Sequence, residues 1–415
     1  MIVPQRVRRS PVAGRSDARI VIAREEGTSL TAHSGRRAPL GDARALFDLP
    51  EHVAYFNTAN MSPMLRAVAD AGIAGVRSRA APWTITAEDW FSDVERLRSR
   101  VATLMDATPD AIALVPSTSY GLAIAARNVP LEPGDHIMVL AEEYPSNYYT
   151  WSHAADMADA SVVQAVREPG QSWTDAVLGL IDERTAVVAV PNVHWTDGSV
   201  VDLEAIGAGA RAVDAAVVVD ASQSLGAMPL DLAGVDPDFV VSVGYKWLLG
   251  PFSVGYLYVA DRHQRGQPIE HNWILRQGAD DFARLVDYTD EYQPGARRYD
   301  VGQRTNFGLV PMAIAAVDQL IAWSIPTVSD RLAVTCDALR RDIAAVGLDV
   351  PAPTAVGPHM FGVNLPPHRA GAVLDRLGDA GVIASIRGAS LRISPHLHTT
   401  NADIDRLVST LRSAV

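Results

Sequence analysis

Val217-Val218-Val219-Asp220-Ala221-Ser222-Gln223-Ser224-Leu225-Gly226-Ala227, followed by Phe239-Val240-Val241-Ser242-Val243-Gly244-Tyr245-Lys246-Trp247, decides how this chain is read. Each half opens on a short, unbroken apolar run and ends on polar residues. A strand buried on both faces of a parallel sheet needs such a run, because helices cover both of its sides. Ligands of open α/β sheets sit beyond the carboxyl ends of the strands, which is where Asp220 and Lys246 fall.

Lys246 is also the only lysine among 36 basic residues; the other 35 (36 less this one) are arginine. Arginine replaces lysine as a surface charge but cannot shed its proton to become a nucleophilic amine. A single lysine spared by that bias reads as chemistry rather than chance survival on a solvated face. Desolvated lysines that form Schiff bases with carbonyl groups are a recognised catalytic class.

Working outward, further apolar runs read as strands at Ala111 to Val115, Ile137 to Leu140, Ala186 to Val190, Ala215 to Val219, Phe239 to Val243 and Tyr256 to Ala260. Helical stretches such as Leu203 to Val213 lie between several of them. Trp90, Val94, Leu97, Val101 and Leu104 repeat at steps of four and three, which places them on one helix face. Alternation of this kind predicts a doubly wound α/β domain with a large, mainly parallel sheet.

Five of the strand ends then offer polar groups to one crevice. Val115 leads to Ser117, Thr118 and Ser119 at the start of a predicted helix, where hydroxyls and free backbone N–H groups can hold a phosphate. Leu140 leads to Glu142, Glu143, Tyr144 and Asn147. Val190 leads to Asn192 and His194, Val219 to Asp220 and Gln223, and Val243 to Tyr245 and Lys246. A phosphate cup, a buried acid and one amine together fit pyridoxal 5′-phosphate, the acid pairing with the protonated ring nitrogen that makes the ring an electron sink.

The 415 residues, 48% hydrophobic and 20% charged, are enough to bury a large core. A net charge of -12 argues against nucleic acid or an anionic membrane as the main partner, and no apolar run approaches the roughly 18 residues of a membrane helix. One cysteine allows no internal disulfide, so the expected compartment is a reducing cytoplasm. Residues 1 to 40 carry eight arginines without periodicity and read as a mobile tail. No histidine spacing suggests a metal site.

Val217 to Ala227 and Gly244-Tyr245-Lys246-Trp247-Leu248-Leu249-Gly250-Pro251, at their separation, resemble the class V aminotransferases of the aspartate aminotransferase fold (type I). That family includes cysteine desulfurases, kynureninases and isopenicillin N epimerase-like proteins, and the similarity extends from about Tyr55 to the C-terminus. The resemblance implies that Lys246 is the internal aldimine lysine and Asp220 the partner of the ring nitrogen. It places Gln223 and Asn192 around the ring hydroxyl, Tyr144 on the ring face, and Thr118 and Ser119 on the phosphate. Arg392, within Arg387 to His396, matches the arginine that binds the substrate α-carboxylate, for which the guanidinium fork is suited. A homodimer is implied, with Tyr299 to Asn306 reaching a neighbour's phosphate and Gln303 where desulfurases have threonine.

Some residues depart from the family pattern. Val243 stands where many relatives have a phosphate-binding serine, and Ser242 lies on the other strand face. Ile386 to Leu391 holds no cysteine, which removes the persulfide route of the usual desulfurases. Cys336 shares a helical face with Val328, Leu332, Leu339 and Ile343 and reads as a core thiol. Gly207-Ala208-Gly209-Ala210-Arg211-Ala212 mimics a dinucleotide loop but lies inside a predicted helix that precedes a strand. His194 reads as either a proton relay beside the cofactor or a packed core residue.

These readings lead to a large cofactor domain of about residues 63 to 305 and a small domain of 41 to 62 plus 306 to 415, with Asn57 near the substrate. The expected activity is amino transfer on a small α-amino acid or related amine. A lyase or epimerase is the alternative, because all three share one carbanion-stabilising cofactor chemistry. A non-catalytic α/β binding protein and a cofactor-free Schiff-base aldolase are the readings from outside the class.

Overall fold

In the computed structural model, which describes residues 43–414, the six apolar runs become strands of one sheet; the predicted tail at 1 to 40 lies outside the described residues. The strands are β1 (Ala54–Tyr55), β2 (Ile112–Val115), β3 (His136–Leu140), β4 (Ser161–Ala165), β5 (Thr185–Pro191), β6 (Ala216–Asp220), β7 (Phe239–Val243), β8 (Gly255–Val259), β9 (Phe361–Asn364), β10 (Val382–Ile383), β11 (Ser385–Arg387) and β12 (Ser390–Ile393). The central sheet has the order β2-β8-β7-β6-β5-β3-β4. Residues of β2, β5, β6 and β7 are buried almost throughout, so the helices do cover both faces.

Two strands depart from expectation. β8 runs antiparallel to both neighbours, because residues 244–254 return from β7 without a helix, and a parallel return needs a crossover. β4 is absent from the sequence reading. It sits at the sheet edge, where Ser161 and Gln164 are exposed and interrupt the apolar run.

The strand order places the crevice. β4 and β5 lie on opposite sides of β3, so the winding direction reverses there, and a ligand crevice opens at the carboxyl ends of strands flanking such a point. β2 is antiparallel to β8, which is antiparallel to β7, so β2 ends at the same sheet edge as β3, β5, β6 and β7. The five polar strand ends therefore share one side.

The predicted amphipathic helix forms over Ser92–Leu104, with Trp90 in the preceding 3-10 turn. Its buried face also carries Arg98, a charge the apolar periodicity does not reveal. Arg98 Nη2 lies 2.7 Å from Asp300 Oδ2, and both side chains are fully buried. Leu203–Arg211 is a helix that contains the Gly207 to Ala212 pattern, so that pattern opens no phosphate loop.

A second core gathers around β9, β11 and β12, which form a three-stranded sheet, together with the β1–β10 pair. Cys336 is part of this core with Leu339 and Ile343, as its helical spacing predicted. Phe56 and Ala54 join the same cluster, so residues just before the first long helix pack with the C-terminal part of the chain.

Candidate active site

Lys246 sits where β7 turns back towards β8, in a loop held tightly against the loop after β6. Gly226 has φ 99°, and a Cβ there would lie 2.5 Å from the carbonyl oxygen of Trp247, so only glycine lets the two loops pass. Trp247 Nε1 donates to Gln223 Oε1 at 2.9 Å, and Gln223 Nε2 donates to the Ala59 carbonyl at 3.0 Å. The lysine is thereby fixed to the β6 loop and to the N-terminal segment.

Lys246 is 7% exposed, and burial pushes the pKa of its amine down to about 8 against the attraction of Asp220. The guanidinium groups of Arg392 and Arg387 lower it further. Nζ lies 5.3 Å from the centre of the Tyr144 ring and 6.0 Å from that of Tyr245. Such an amine is available unprotonated near neutral pH, which an exposed lysine is not.

Asp220 ends β6, buried, and its Oδ1 accepts from Ser222 N at 2.9 Å. Burial raises its pKa, opposed by Ser222 and Lys246. The hydroxyls of Ser222 and Thr118 lie 2.9 Å apart, which joins the acid to the start of the helix Thr118–Asn128. Ser117 caps that helix by accepting from Tyr120 N, with Ser119 Oγ 3.0 Å from its hydroxyl. The predicted phosphate cup is therefore a helix N-terminus that carries three hydroxyls, and first-turn N–H groups have no partner within a helix.

Tyr144 precedes the helix Pro145–Ala158 at the end of β3, and its ring meets Trp195 edge-on at 5.5 Å. Asn192 is buried, with Nδ2 3.4 Å from the Val201 carbonyl and Oδ1 without a partner. Arg392 is 1% exposed. Its Nη1 donates to the Trp195 carbonyl at 2.7 Å, while Nε and Nη2 have no partner among the described residues. Burial and the nearby Arg387 pull its pKa down to about 9. Asn57 Oδ1 is likewise buried and unpartnered.

Two side chains are used differently from expectation. His194 is packed rather than presented: Nδ1 lies 2.7 Å from Thr196 Oγ1, Nε2 lies 3.3 Å from the Ala141 carbonyl, and the ring stacks on Trp173. With both nitrogens engaged, the geometry supports its packed reading over a proton relay. Gln223, expected at the ring hydroxyl, has its amide bonded at both ends within the protein. Ser242, on the strand face opposite Val243, bonds only to the Ala221 and Val243 carbonyls.

In the sequence Glu143 is one of two adjacent strand-end acids. Burial raises its carboxyl to about 8, with Oε1 accepting from Tyr144 N at 2.7 Å and Oε2 unpartnered. Its neighbour Glu142 is exposed, and nothing in the Glu142-Glu143 pair says which one turns inward.

Residues 84–272 match the aminotransferase class-V family model. Over this central segment the chain is similar to that family. Kynureninase of Deinococcus radiodurans is 31% identical over 281 residues, 64% of this chain and 65% of that one. Isopenicillin N epimerase of Streptomyces clavuligerus is 24% identical over 89% of this chain and 97% of its own. Among solved structures, a mutant of C-DES with glycine covalently linked to its PLP cofactor superposes with a TM-score of 0.82 at 18% identity, covering 89% of this chain and 98% of that one. That likeness shows a shared fold, the α/β architecture with a large mixed central sheet.

The family is dependent on pyridoxal 5′-phosphate, and the residues here fit that group. A buried acid whose pKa is raised by burial, an Asn192 oxygen with no partner among the described residues, a hydroxyl-lined helix start and one deprotonable amine are what its ring nitrogen, ring hydroxyl, phosphate and aldehyde require.

Proposed function

We propose that the chain is a pyridoxal 5′-phosphate enzyme that transfers the amino group of a small α-amino acid or related amine. The observation that carries this reading is the single lysine, buried with its pKa near 8, within electrostatic reach of an arginine whose Nε–Nη2 edge is unpaired. In this reading Lys246 holds the cofactor through Nζ and moves the proton at the substrate Cα. Asp220 keeps the ring nitrogen protonated, and Tyr144 covers the ring. Asn192 meets the ring hydroxyl through its open Oδ1, Gln223 beside it holds Trp247 and Ala59 in place, and Ser117, Thr118 and Ser119 hold the phosphate beside Tyr245. When bound, the cofactor supplies an electron sink for the carbanion at Cα.

Arg392 takes the α-carboxylate. Two parallel hydrogen bonds to a planar carboxylate satisfy the two nitrogens that the protein leaves open. Asn57 lies on the substrate side. His194 has no assigned proton transfer, because its nitrogens are spent on Thr196 and Ala141.

Elimination or epimerisation is the second reading, favoured by the epimerase that aligns along 97% of its own length. A loop-cysteine desulfurase is not proposed, because Ile386 to Leu391 has no thiol.

We read residues 63 to 305 as the cofactor domain, and 41 to 62 with 306 to 415 as the small domain. A homodimer is part of the proposal: exposed Gln303 lines an open cleft with Trp90, Trp273 and Phe307, a surface suited to a second copy. The single buried thiol supports a reducing cytoplasm. Among the described residues no single helix is long and apolar enough to cross a membrane.

The test is the absorption spectrum on adding pyridoxal 5′-phosphate, for the wild type and Lys246→Ala, with a panel of amino acids. A visible band that one amino acid bleaches and an oxo acid restores supports amino transfer. A retained band with release of pyruvate or sulfide, or with appearance of the opposite enantiomer, moves the assignment to lyase or epimerase. No band at all overturns the reading.

A further inference from the structure

Two guanidinium groups share one face of the β11–β12 hairpin. Ser385 pairs with Arg392 and Arg387 with Ser390, while Leu391 and Ile393 point into the C-terminal core and Ile386 packs against it. Side chains alternate along a strand, so Arg387 and Arg392 lie on the opposite face, as diagonal neighbours about 7–8 Å apart in ordinary sheet geometry. Both approach Trp195: Arg392 donates to its carbonyl, and the Arg387 guanidinium carbon lies 6.0 Å from its ring centre.

Neither arginine has an acidic partner among the described residues. Arg392 is bonded only through Nη1. Arg387, half-buried, donates to the Ile386 carbonyl at 2.8 Å and reaches Asn60 Oδ1 only at 3.4 Å. The fully buried Arg98 and Arg304 are handled otherwise, since they share the carboxylate of Asp300. Arg392, buried without a counter-charge beside a second group that can carry positive charge, Lys246, is costly to keep unless a ligand brings the missing charge, and the half-buried Arg387 adds another cation with no carboxylate beside it among the described residues. One α-carboxylate supplies one negative charge and leaves the second guanidinium unmatched.

We propose that Arg387 and Arg392 form a two-anion receptor and that the substrate is a dicarboxylic α-amino acid, whose α-carboxylate meets Arg392 and whose side-chain carboxylate meets Arg387. This deepens the function proposed above and rests on it. The weak, exposed Asn60 contact is released when the side-chain carboxylate arrives, whereas the Trp195 carbonyl keeps Arg392 fixed. Arg392 thus reads what all amino acids share, and Arg387 reads the side chain.

The experiment is calorimetric titration of the cofactor-free and cofactor-loaded protein with succinate and glutarate, against propionate and butyrate. The wild type, Arg387→Gln, Arg387→Lys and Arg392→Gln are compared, with circular dichroism to establish folding and cofactor uptake measured separately. The wild type is expected to bind the dicarboxylates at least about tenfold tighter than the monocarboxylates. Arg387→Gln loses roughly 10- to 100-fold for the dicarboxylates, the scale of one charged hydrogen-bond pair, and stays within about threefold for the monocarboxylates. Arg387→Lys recovers part of that loss, and Arg392→Gln weakens both classes. Equal wild-type affinities, or an Arg387→Gln variant with unchanged selectivity, overturn the inference while normal cofactor uptake leaves the earlier reading intact. Absence of cofactor uptake overturns both.

Discussion

Trp247 Nε1 donates to Gln223 Oε1 at 2.9 Å, and this bond joins the residue after Lys246 to the loop that follows the Asp220 strand. Both partners are buried, so neither can exchange the bond for water. Replacing Trp247 by Phe keeps the apolar bulk and leaves the Gln223 oxygen unsatisfied. The expected cost is about 1–3 kcal/mol, read from urea unfolding, with weaker cofactor retention. Unchanged stability would mean that the link is dispensable.

Asp300 accepts from Arg98 at 3.1 Å (Nη1) and 2.7 Å (Nη2), from Leu114 N at 2.8 Å, and from Arg304. Asp300→Asn removes the charge that the buried Arg98 and Arg304 share and leaves Arg98 only its Glu95 carboxylate at 3.1 Å, and a loss of about 3–5 kcal/mol is expected. Burial works to raise the Asp300 carboxyl, but Arg98 and Arg304 outweigh it and hold the pKa below the ordinary value. Its contribution is therefore full above about pH 4, the unfolded value, and lost as pH falls through the folded one. Acid unfolding should begin at higher pH in a variant with Arg98→Met, and an unshifted acid midpoint would refute the assignment.

Lys246 offers the only side-chain amine for labelling. Reductive methylation of the cofactor-free protein, followed by peptide mass spectrometry, should modify it with a pH midpoint near 8, against about 10.4 for an ordinary lysine. Because the folded pKa is depressed, the unfolded chain binds more protons between those values. The stability of the wild type relative to Lys246→Met should accordingly rise with pH across that window. A midpoint above 10 would place the amine in solvent.

Cys336 is fully buried, and burial pushes its thiol up to about 12. A thiol reagent should leave the native protein unmodified and react only as urea unfolds it. Cys336→Ala should cost on the order of 1 kcal/mol and leave the activity in place. Loss of activity at retained stability would restore a sulfur-transfer role.

The legibility of the site followed the kind of signal each residue carries. Lys246 and Asp220 were readable because strand ends and a unique residue type are local features of the chain. Tyr144, Asn192 and Arg392 were readable through the resemblance, and the fold brings Tyr144 and Arg392 into the electrostatic surroundings of Lys246. Arg98 was hidden inside an apolar helical repeat because its partner Asp300 is 202 residues away. The engaged state of His194 and Gln223 was equally hidden, since it depends on which carbonyls and hydroxyls meet their polar atoms.

By itself the sequence determined the alternation of buried strand and helix, the single amine at a strand end, and the absence of a thiol before Arg392, because burial on both faces and the chemistry of one side chain are written residue by residue. Only the tertiary structure decided that β8 returns antiparallel, that Arg387 and Arg392 share one face without acidic partners among the described residues, and that the lysine is desolvated enough to lose its proton near pH 8. Those properties depend on what surrounds a group in space, and the desolvation and pairing that set its charge come from residues distant along the chain.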